Sequence, residues 1–211
     1  MIERRAAMVA RQLRANGITD ARVLEAMAEV PREEFVPPEV RGAAYDDRAL
    51  PIGRGQTISQ PLVVAAMTQA LAPDPEDRVL EVGAGSGYQA AVLARLCESV
   101  VTIELDPQLA ASARGTLERL GVANVEVVAG DGAQGWPARA PYQGVLVAAA
   151  AAEVPPRLLE QLAEGGRLVA PVGPEGKDQE LRLLVKSGGE LLLRRLFPVR
   201  FVPLRRPPGQ S

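Results

Sequence analysis

The sequence predicts an α/β fold: a mostly parallel sheet with helices on both faces, completed by a C-terminal β-hairpin. Three observations predict it. Short apolar, β-branched runs alternate with helical stretches from residue 79 to residue 171, the pattern of consecutive βα units. The first of these runs, residues 79–82, leads into glycines at 83, 85 and 87 and then into a helical stretch starting at Tyr88. Strand, glycine turn and helix make the first half of a nucleotide-binding unit. Near the C-terminus, residues 180–186 and 190–197 flank Ser187-Gly188-Gly189 and read as two antiparallel strands about a tight turn.

In order along the chain, residues 2–15 read as a helix stopped by Asn16-Gly17. A second helix runs to residue 29 from Asp20, whose side chain suits an N-cap. Pro31, Pro37 and Pro38 then interrupt regular structure, and residues 45–60 form a long irregular stretch. Structureless stretches of that length in a compact domain are usually functional. Pro61 belongs in the first turn of a helix over 62–71. Residues 79–82 have the length and β-branching of a buried central strand, and a helix follows over 88–96. Residues 99–103, 125–129 and 144–148 are further strands, with a helix over 107–120 ended by Gly121. After an alanine run over 148–152, residues 155–162 read as a helix closed by Gly165-Gly166, 167–171 as a fifth strand, and 199–204 as a short last strand.

The 211 residues suffice for one well-buried domain and are few for two. One domain is expected, with N-terminal helices and a functional loop over 1–75, a βα core over 76–175, and a hairpin and tail over 176–211. No apolar run reaches membrane length, and Met1-Ile2-Glu3-Arg4-Arg5 lacks the apolar centre of a signal peptide. No membrane partner and a cytoplasmic location are therefore expected. A lone Cys97 cannot close an internal disulfide, in keeping with a reducing compartment. A net charge of −2 gives no field that favours nucleic acid. Histidine is absent, which excludes Ser-His-Asp and Cys-His catalysis, a histidine base and His-ligated zinc. No metal site is expected.

The glycine turn points to a kind of ligand. Its third glycine comes one residue early for a dinucleotide turn, giving G-x-G-x-G. The acidic Glu81 just before it would repel a pyrophosphate and suits the cationic amino-acid end of S-adenosylmethionine. The second strand ends in Glu104, close to the offset of about 20 residues at which an acid meets a ribose diol. The third ends in Gly130-Asp131-Gly132, where Asp131 can accept a hydrogen bond from an adenine amino group. Acids at the carboxyl ends of three successive strands fall on the edge where open α/β sheets bind ligands, which defines a nucleoside site. A ligand-free tight turn and a solvated strand end are the bland readings of the glycines and of Glu104.

Further motifs extend over almost the whole chain. Residues 50–61 read Leu-Pro-Ile-Gly-Arg-Gly-Gln-Thr-Ile-Ser-Gln-Pro, ahead of the glycine turn of 79–89. Then come Gly130-Asp131-Gly132, Gly135-Trp136, Ala140-Pro141-Tyr142, Gln161-Leu162, Gly165-Gly166-Arg167-Leu168-Val169 and Phe201-Val202-Pro203-Leu204. Together these segments resemble the protein-L-isoaspartate (D-aspartate) O-methyltransferase family. Gly55-Gln56-Thr57-Ile58-Ser59 is the most particular to it. The resemblance implies a Rossmann-like S-adenosylmethionine-dependent methyltransferase fold with seven strands. It implies methyl transfer, leaving S-adenosylhomocysteine, to the free carboxylate of L-isoaspartyl and D-aspartyl residues in damaged peptides and proteins. The ester then collapses off the enzyme to a succinimide that partly returns normal aspartate.

By the same resemblance, Glu81, Gly83, Ala84, Gly85, Ser86, Glu104 and Leu105 hold the methionine and ribose portions of the cofactor. Asp131 and Gly132 contact adenine, and Gln56, Thr57, Ile58 and Ser59 cover the cofactor near its sulfonium. Ser59 matches the family's active-site serine and, with Ile58, Val202, Pro203 and Leu204, contacts the substrate. Isoaspartyl peptides and proteins are the implied partners, and a monomer is expected. One departure is Gln143, where the family usually carries Asp.

The chemistry agrees with the missing histidine. A carboxylate of pKa about 4 is already ionised at pH 7 and needs no general base. Ser59 also has a structural reading, as a helix cap before Pro61. The run Arg194, Arg195, Arg200, Arg205 and Arg206 reads as a solvated face or a substrate-steering patch. Two other function classes stay open from the residues alone: a methyltransferase of a small molecule or nucleic acid, and a nucleoside-binding module without activity.

Overall fold

The computed structural model describes residues 1–207; the end of the expected 176–211 tail, residues 208–211, lies outside the described residues. The chain opens with α1 (Ile2–Met8), which continues as a π turn (Val9–Leu13) and a 3-10 turn (Arg14–Asn16) before Gly17 stops it at φ 91°. The single helix expected over 2–15 is thus helical throughout but of three kinds. In α2 (Ala21–Glu29) Asp20 is the N-cap, its carboxylate accepting from the amides of Arg22 and Val23, which satisfies donors a helix start leaves orphaned.

The stretch 45–60 is not irregular. It contains an antiparallel ribbon of β1 (Leu50–Gly53) and β2 (Gln56–Ile58), joined through Gly53, Arg54 and Gly55, all at positive φ. Leu50 and Ile58 pair and are buried, so one face of the ribbon anchors it to the core. Pro51 is tolerated because the ribbon has no third strand. Next come α3 (Pro61–Leu71), β3 (Arg78–Val82), α4 (Tyr88–Leu93), β4 (Ser99–Glu104), α5 (Pro107–Arg119), β5 (Val125–Ala129) and β6 (Tyr142–Val147). The chain finishes with α6 (Pro156–Glu160), β7 (Leu162–Val172), β8 (Gln179–Ser187) and β9 (Glu190–Val199).

Seven strands form one sheet in the order β5-β4-β3-β6-β7-β8-β9, parallel from β5 to β7 and antiparallel at β8 and β9. The two-residue turn Gly188-Gly189 has φ of 62° and 80°, the primed geometry that matches strand twist. Alternation assigns the faces. Leu80, Val82, Val101, Ile103, Val145 and Val147 pack on one side with Leu158, and Val79, Val100 and Leu146 pack on the other with Met67, Leu71 and Leu93. Each such fully buried aliphatic side chain contributes about 1.5–3 kcal/mol.

Three expectations near the C-terminus need correction. The sixth helix stops at Glu160, because Leu162 already pairs with Tyr142. Gly165-Gly166 therefore do not close a helix but lie in a bulge of β7, where the register moves from Tyr142↔Leu162 to Gly144↔Arg167. No strand forms over 199–204: β9 ends at Val199, and beyond it only Pro203 bridges, to Ala150. The fourth helix also ends early, at Leu93 rather than 96.

Gly132 is required by packing rather than by backbone conformation. A Cβ on Gly132 would lie 2.4 Å from Cγ1 of Val82, a β-branched side chain that is 1% exposed and has one strongly preferred rotamer to retreat from. Gly132→Ala should lower unfolding stability by about 1–3 kcal/mol in urea titration; a variant as stable as the native protein would contradict this packing.

Candidate active site

Strand order reverses at β3, which has β4 on one side and β6 on the other; at such a switch point the loops diverge and leave a crevice outside the carboxyl ends. A cavity of about 280 Å³ occupies it. Its floor is Val82 at the end of β3 with Gly83 and Gly85 after it, Glu104 at the end of β4 with Leu105 and Asp106 after it, Gly132 after β5, and Ala148 and Ala149 after β6. Arg54, Gln56 and Thr57 of the ribbon and Val202, Pro203, Leu204 and Arg205 of the tail close it from above.

The glycine turn folds back on the sheet. The amides of Gly83 and Ala84 donate to the Ile103 carbonyl at 2.8 and 3.2 Å. The φ values of Gly83, Gly85 and Gly87 are 94°, 53° and 87°, open to glycine at little cost. The Gly85 amide donates to Oε2 of Glu104 at 2.8 Å, and the Asp106 amide to Oε1 at 3.1 Å. Glu104 thus ties the loop after β3 to the loop after β4, and both oxygens keep lone pairs for a ligand.

A larger cleft of about 830 Å³ adjoins the cavity. Ser59, Leu62, Phe197, Arg200 and Phe201 line it, and Thr57, Ala148 and Val202 line both spaces. Those three residues are the wall between them. The tail that forms part of this wall is held by the Ala150 amide donating to the Val202 carbonyl at 2.8 Å and the Leu204 amide donating to the Ala150 carbonyl at 2.7 Å. The Phe201 amide donates to Gln179 Oε1.

Of the residues expected at the site, Gln56, Thr57, Gly83, Gly85, Glu104, Leu105, Gly132, Val202, Pro203 and Leu204 surround the cavity, and Ser59 faces the cleft. Ile58 and Ala84 are buried beside it. Asp131 caps the 3-10 turn Gly132–Gln134 through the Ala133 amide, and the Ser86 hydroxyl accepts from the Tyr88 amide at 3.4 Å. Glu81 shares its sheet face with Val79, away from the cavity, where Thr102 Oγ1 donates to Oε2 at 2.6 Å and Oε1 has no partner. Burial, reinforced by the charge of Glu104, pushes its carboxyl up to about 8, with the Thr102 hydrogen bond opposing. Ser59 is not a cap: Gln60 occupies the N-cap of α3 without a side-chain bond, and among the described residues the Ser59 hydroxyl makes no hydrogen bond.

Sequence reading missed three residues. Arg54, at the ribbon tip, donates through Nε to Asp106, the N-cap of α5, and through Nη1 to Gln108 at 2.8 Å. The Arg54 hydrogen bond holds the Asp106 carboxyl below its usual range. This latch carries the ribbon across the cavity mouth, and the only signal for it was a cation in a glycine turn. Gln161 clamps the loop after β5, accepting from the Trp136 amide at 2.7 Å and donating to Gln134 and Arg157 carbonyls. Arg32 is fully buried, and its Nη2 donates to the Ser59 carbonyl at 2.7 Å. The unusual Gln143 accepts from the Arg78 amide at 3.0 Å, a structural bond that needs no charge. The arginine run is partly paired, Arg195 with Glu180 and Arg200 with Asp178.

A nucleoside-sized cavity at the switch point of a seven-stranded sheet, with an acid at the end of β4 and a second cleft across one shared wall, has the layout of a nucleoside-dependent transferase. The family model for protein-L-isoaspartate(D-aspartate) O-methyltransferase matches residues 3–207. The chain is 55% identical over 199 residues to the protein-L-isoaspartate O-methyltransferase of Opitutus terrae, covering 94% of this chain and 85% of that one. It is 50% identical over 204 residues to that of Gloeobacter violaceus, covering 97% and 100%. Among solved structures, a protein-L-isoaspartate O-methyltransferase superposes with a TM-score of 0.85 at 33% identity, covering 94% of this chain and 65% of that longer one. A protein of the same family from Plasmodium falciparum, in complex with S-adenosyl-L-homocysteine, gives 0.84 at 26% identity, covering 96% and 99%. The chain belongs to the protein-L-isoaspartate(D-aspartate) O-methyltransferase family. It is an S-adenosylmethionine-dependent enzyme that methylates isoaspartyl residues.

The raised Glu81 carboxyl has a consequence for stability. Between its unfolded value of 4.5 and its folded value of about 8, the folded state holds a proton that the unfolded chain has released. Stability therefore falls as pH rises through that window, by up to about 1.4 kcal/mol per unit from this group. Glu81→Gln, which cannot titrate, should gain stability relative to the native protein between about pH 5 and pH 8 in urea unfolding. A difference independent of pH would contradict the assignment.

Proposed function

We propose how this chain divides the work of methyl transfer. The observation that carries the reading is the shared wall of Thr57, Ala148 and Val202 between a nucleoside-sized cavity and a cleft open to a peptide. The cavity's residues fit S-adenosylmethionine. Glycine backbone allows close approach, Glu104 has lone pairs for a ribose diol, and Leu105 and Pro107 offer apolar surface for a purine. When bound there, S-adenosylmethionine supplies a methyl group on a sulfonium, open to attack by a carboxylate.

In this reading Gln56, Thr57 and the tail Val202, Pro203 and Leu204 keep water from the reacting region and align the substrate backbone. Gly83, Gly85, Leu105 and Gly132 shape the nucleoside seat, and Asp131 acts from its rim. Glu81 supports the glycine turn from beneath, bonded to the Thr102 hydroxyl. Ser59 donates its unused hydroxyl to the substrate carboxylate and fixes its direction of approach. It is not a nucleophile, since no base stands ready to activate it. The carboxylate arrives ionised, so no proton is moved in the transfer.

We further propose that the chain acts as one unit and as a monomer in the cytoplasm, on peptides rather than nucleic acid. The net charge of −2 and a buried, unpaired Cys97 support this; among the described residues no helix is long and apolar enough to cross a membrane.

Ser59→Ala should lower kcat about ten- to a thousandfold, the effect of one lost orienting hydrogen bond in the transition state. Its melting temperature and its affinity for S-adenosylhomocysteine by calorimetry should barely change. Full turnover with a lowered melting temperature would reassign Ser59 to a structural role.

A further inference from the structure

Arg32 is the largest of the fully buried side chains, with 0% exposure. It sits in the 3-10 turn Arg32–Phe35, between two proline-interrupted stretches and far in sequence from the residues it touches. Its Nε donates to the Ala44 carbonyl at 2.7 Å, and its Nη2 to the Ser59 carbonyl at 2.7 Å. The guanidinium carbon lies 4.9 Å over the ring centroid of Tyr88, and Phe35 meets the same ring edge-on at 5.5 Å. Nη1 is buried without a partner. Among the described residues no carboxylate lies within ion-pair distance of Arg32.

A buried cation with no counter-ion and one orphaned donor is a poor way to stabilise a core; an aliphatic side chain of the same volume would avoid the desolvation. What an aliphatic chain cannot do is join these three groups. Ser59 ends the ribbon segment and faces the substrate cleft. Tyr88 opens α4, directly after Gly87 of the glycine turn. Arg32 therefore connects the backbone of the substrate-orienting serine to the helix that begins at the nucleoside loop. A planar guanidinium with diverging donors fixes both carbonyls at once, which the single point charge of a lysine does not.

We propose that Arg32 is a positioning residue for methyl transfer, setting the backbone of Ser59 against the glycine-turn helix so that the serine hydroxyl meets the substrate carboxylate in line. This rests on the role given to Ser59 above. Arg32 lines neither the cavity nor the cleft. A misplacement of about 1 Å at a reacting group costs up to about a hundredfold in rate, and that is the scale on which Arg32 acts.

The test is a double-mutant cycle on the full chain with an isoaspartyl peptide. Arg32→Lys and Arg32→Met are each made alone and with Ser59→Ala, and kcat, KM, melting temperature and S-adenosylhomocysteine affinity are measured. Alone, each should lose about ten- to a hundredfold in kcat while KM and cofactor affinity stay within about threefold. In the Ser59→Ala background the further loss should shrink to within about threefold, because the hydroxyl being positioned is gone. Equal losses in both backgrounds, or full kcat in the single variants, would overturn the proposal. If Ser59→Ala alone keeps full kcat, the role given to Ser59 fails and the proposal falls with it; if Ser59→Ala loses kcat but the Arg32 losses are equal in both backgrounds, the proposal fails alone. Should both Arg32 variants unfold, Tyr88→Leu removes the ring beneath the guanidinium, and its kcat loss must show the same dependence on Ser59.

Discussion

The architecture of the site depends on β3 having parallel neighbours on both sides. Because β4 and β6 flank it, the chain leaving β3 must turn away while the chain leaving β6 turns the other way, and a crevice is left at the carboxyl edge. Parallel pairing in register, Val82 with Ile103 and with Val147, brings Gly83, Glu104 and Ala148 to one level. The glycine turn then has a fixed partner, the Ile103 carbonyl, and a fixed anchor, the Glu104 carboxylate. An acid that accepts two backbone amides is held rigidly and desolvated in part, which strengthens any further hydrogen bond it accepts from a ligand.

Two segments cover this floor. The ribbon reaches the cavity from the N-terminal side and is latched at its tip by Arg54 on Asp106. Side-chain exposures of 47% and 24% make that pair a surface ion pair, screened by salt and weak on its own. The tail crosses from the C-terminal side on two backbone bonds to Ala150. Arg32, fully buried, holds the ribbon segment at its other end through the Ser59 carbonyl.

Much of this was legible in sequence because the core signals are local. Strand length, β-branching and the glycine turn identify β3, β4, β5 and β6 without tertiary information, and Asp20 caps its helix where an Asp before a helical run predicts it. The misses share a cause, which is that distant partners override local propensity. Residues 50–58 read as loop because Pro51 and three positive-φ positions obscure the alternation that pairs Leu50 with Ile58. Gly165-Gly166 read as a helix stop because a bulge inside a paired strand has the same composition as a cap. Glu104, expected from its spacing, lines the cavity, while Asp131 caps the turn Gly132–Gln134. Arg32, Arg54 and Gln161 were invisible because each acts on backbone more than 20 residues away or on the far end of another loop.

The central claim is that the cleft beyond Thr57, Ala148 and Val202 presents an isoaspartyl carboxylate to the cavity. It is tested most directly with a pair of peptides identical except for an isoaspartyl or a normal aspartyl linkage, each incubated with the protein and methyl-labelled S-adenosylmethionine. The account predicts base-labile methyl ester on the isoaspartyl peptide and none above background on its aspartyl twin. Equal labelling of both peptides, base-stable label, or label recovered only on a small molecule or nucleic acid added in competition would contradict it.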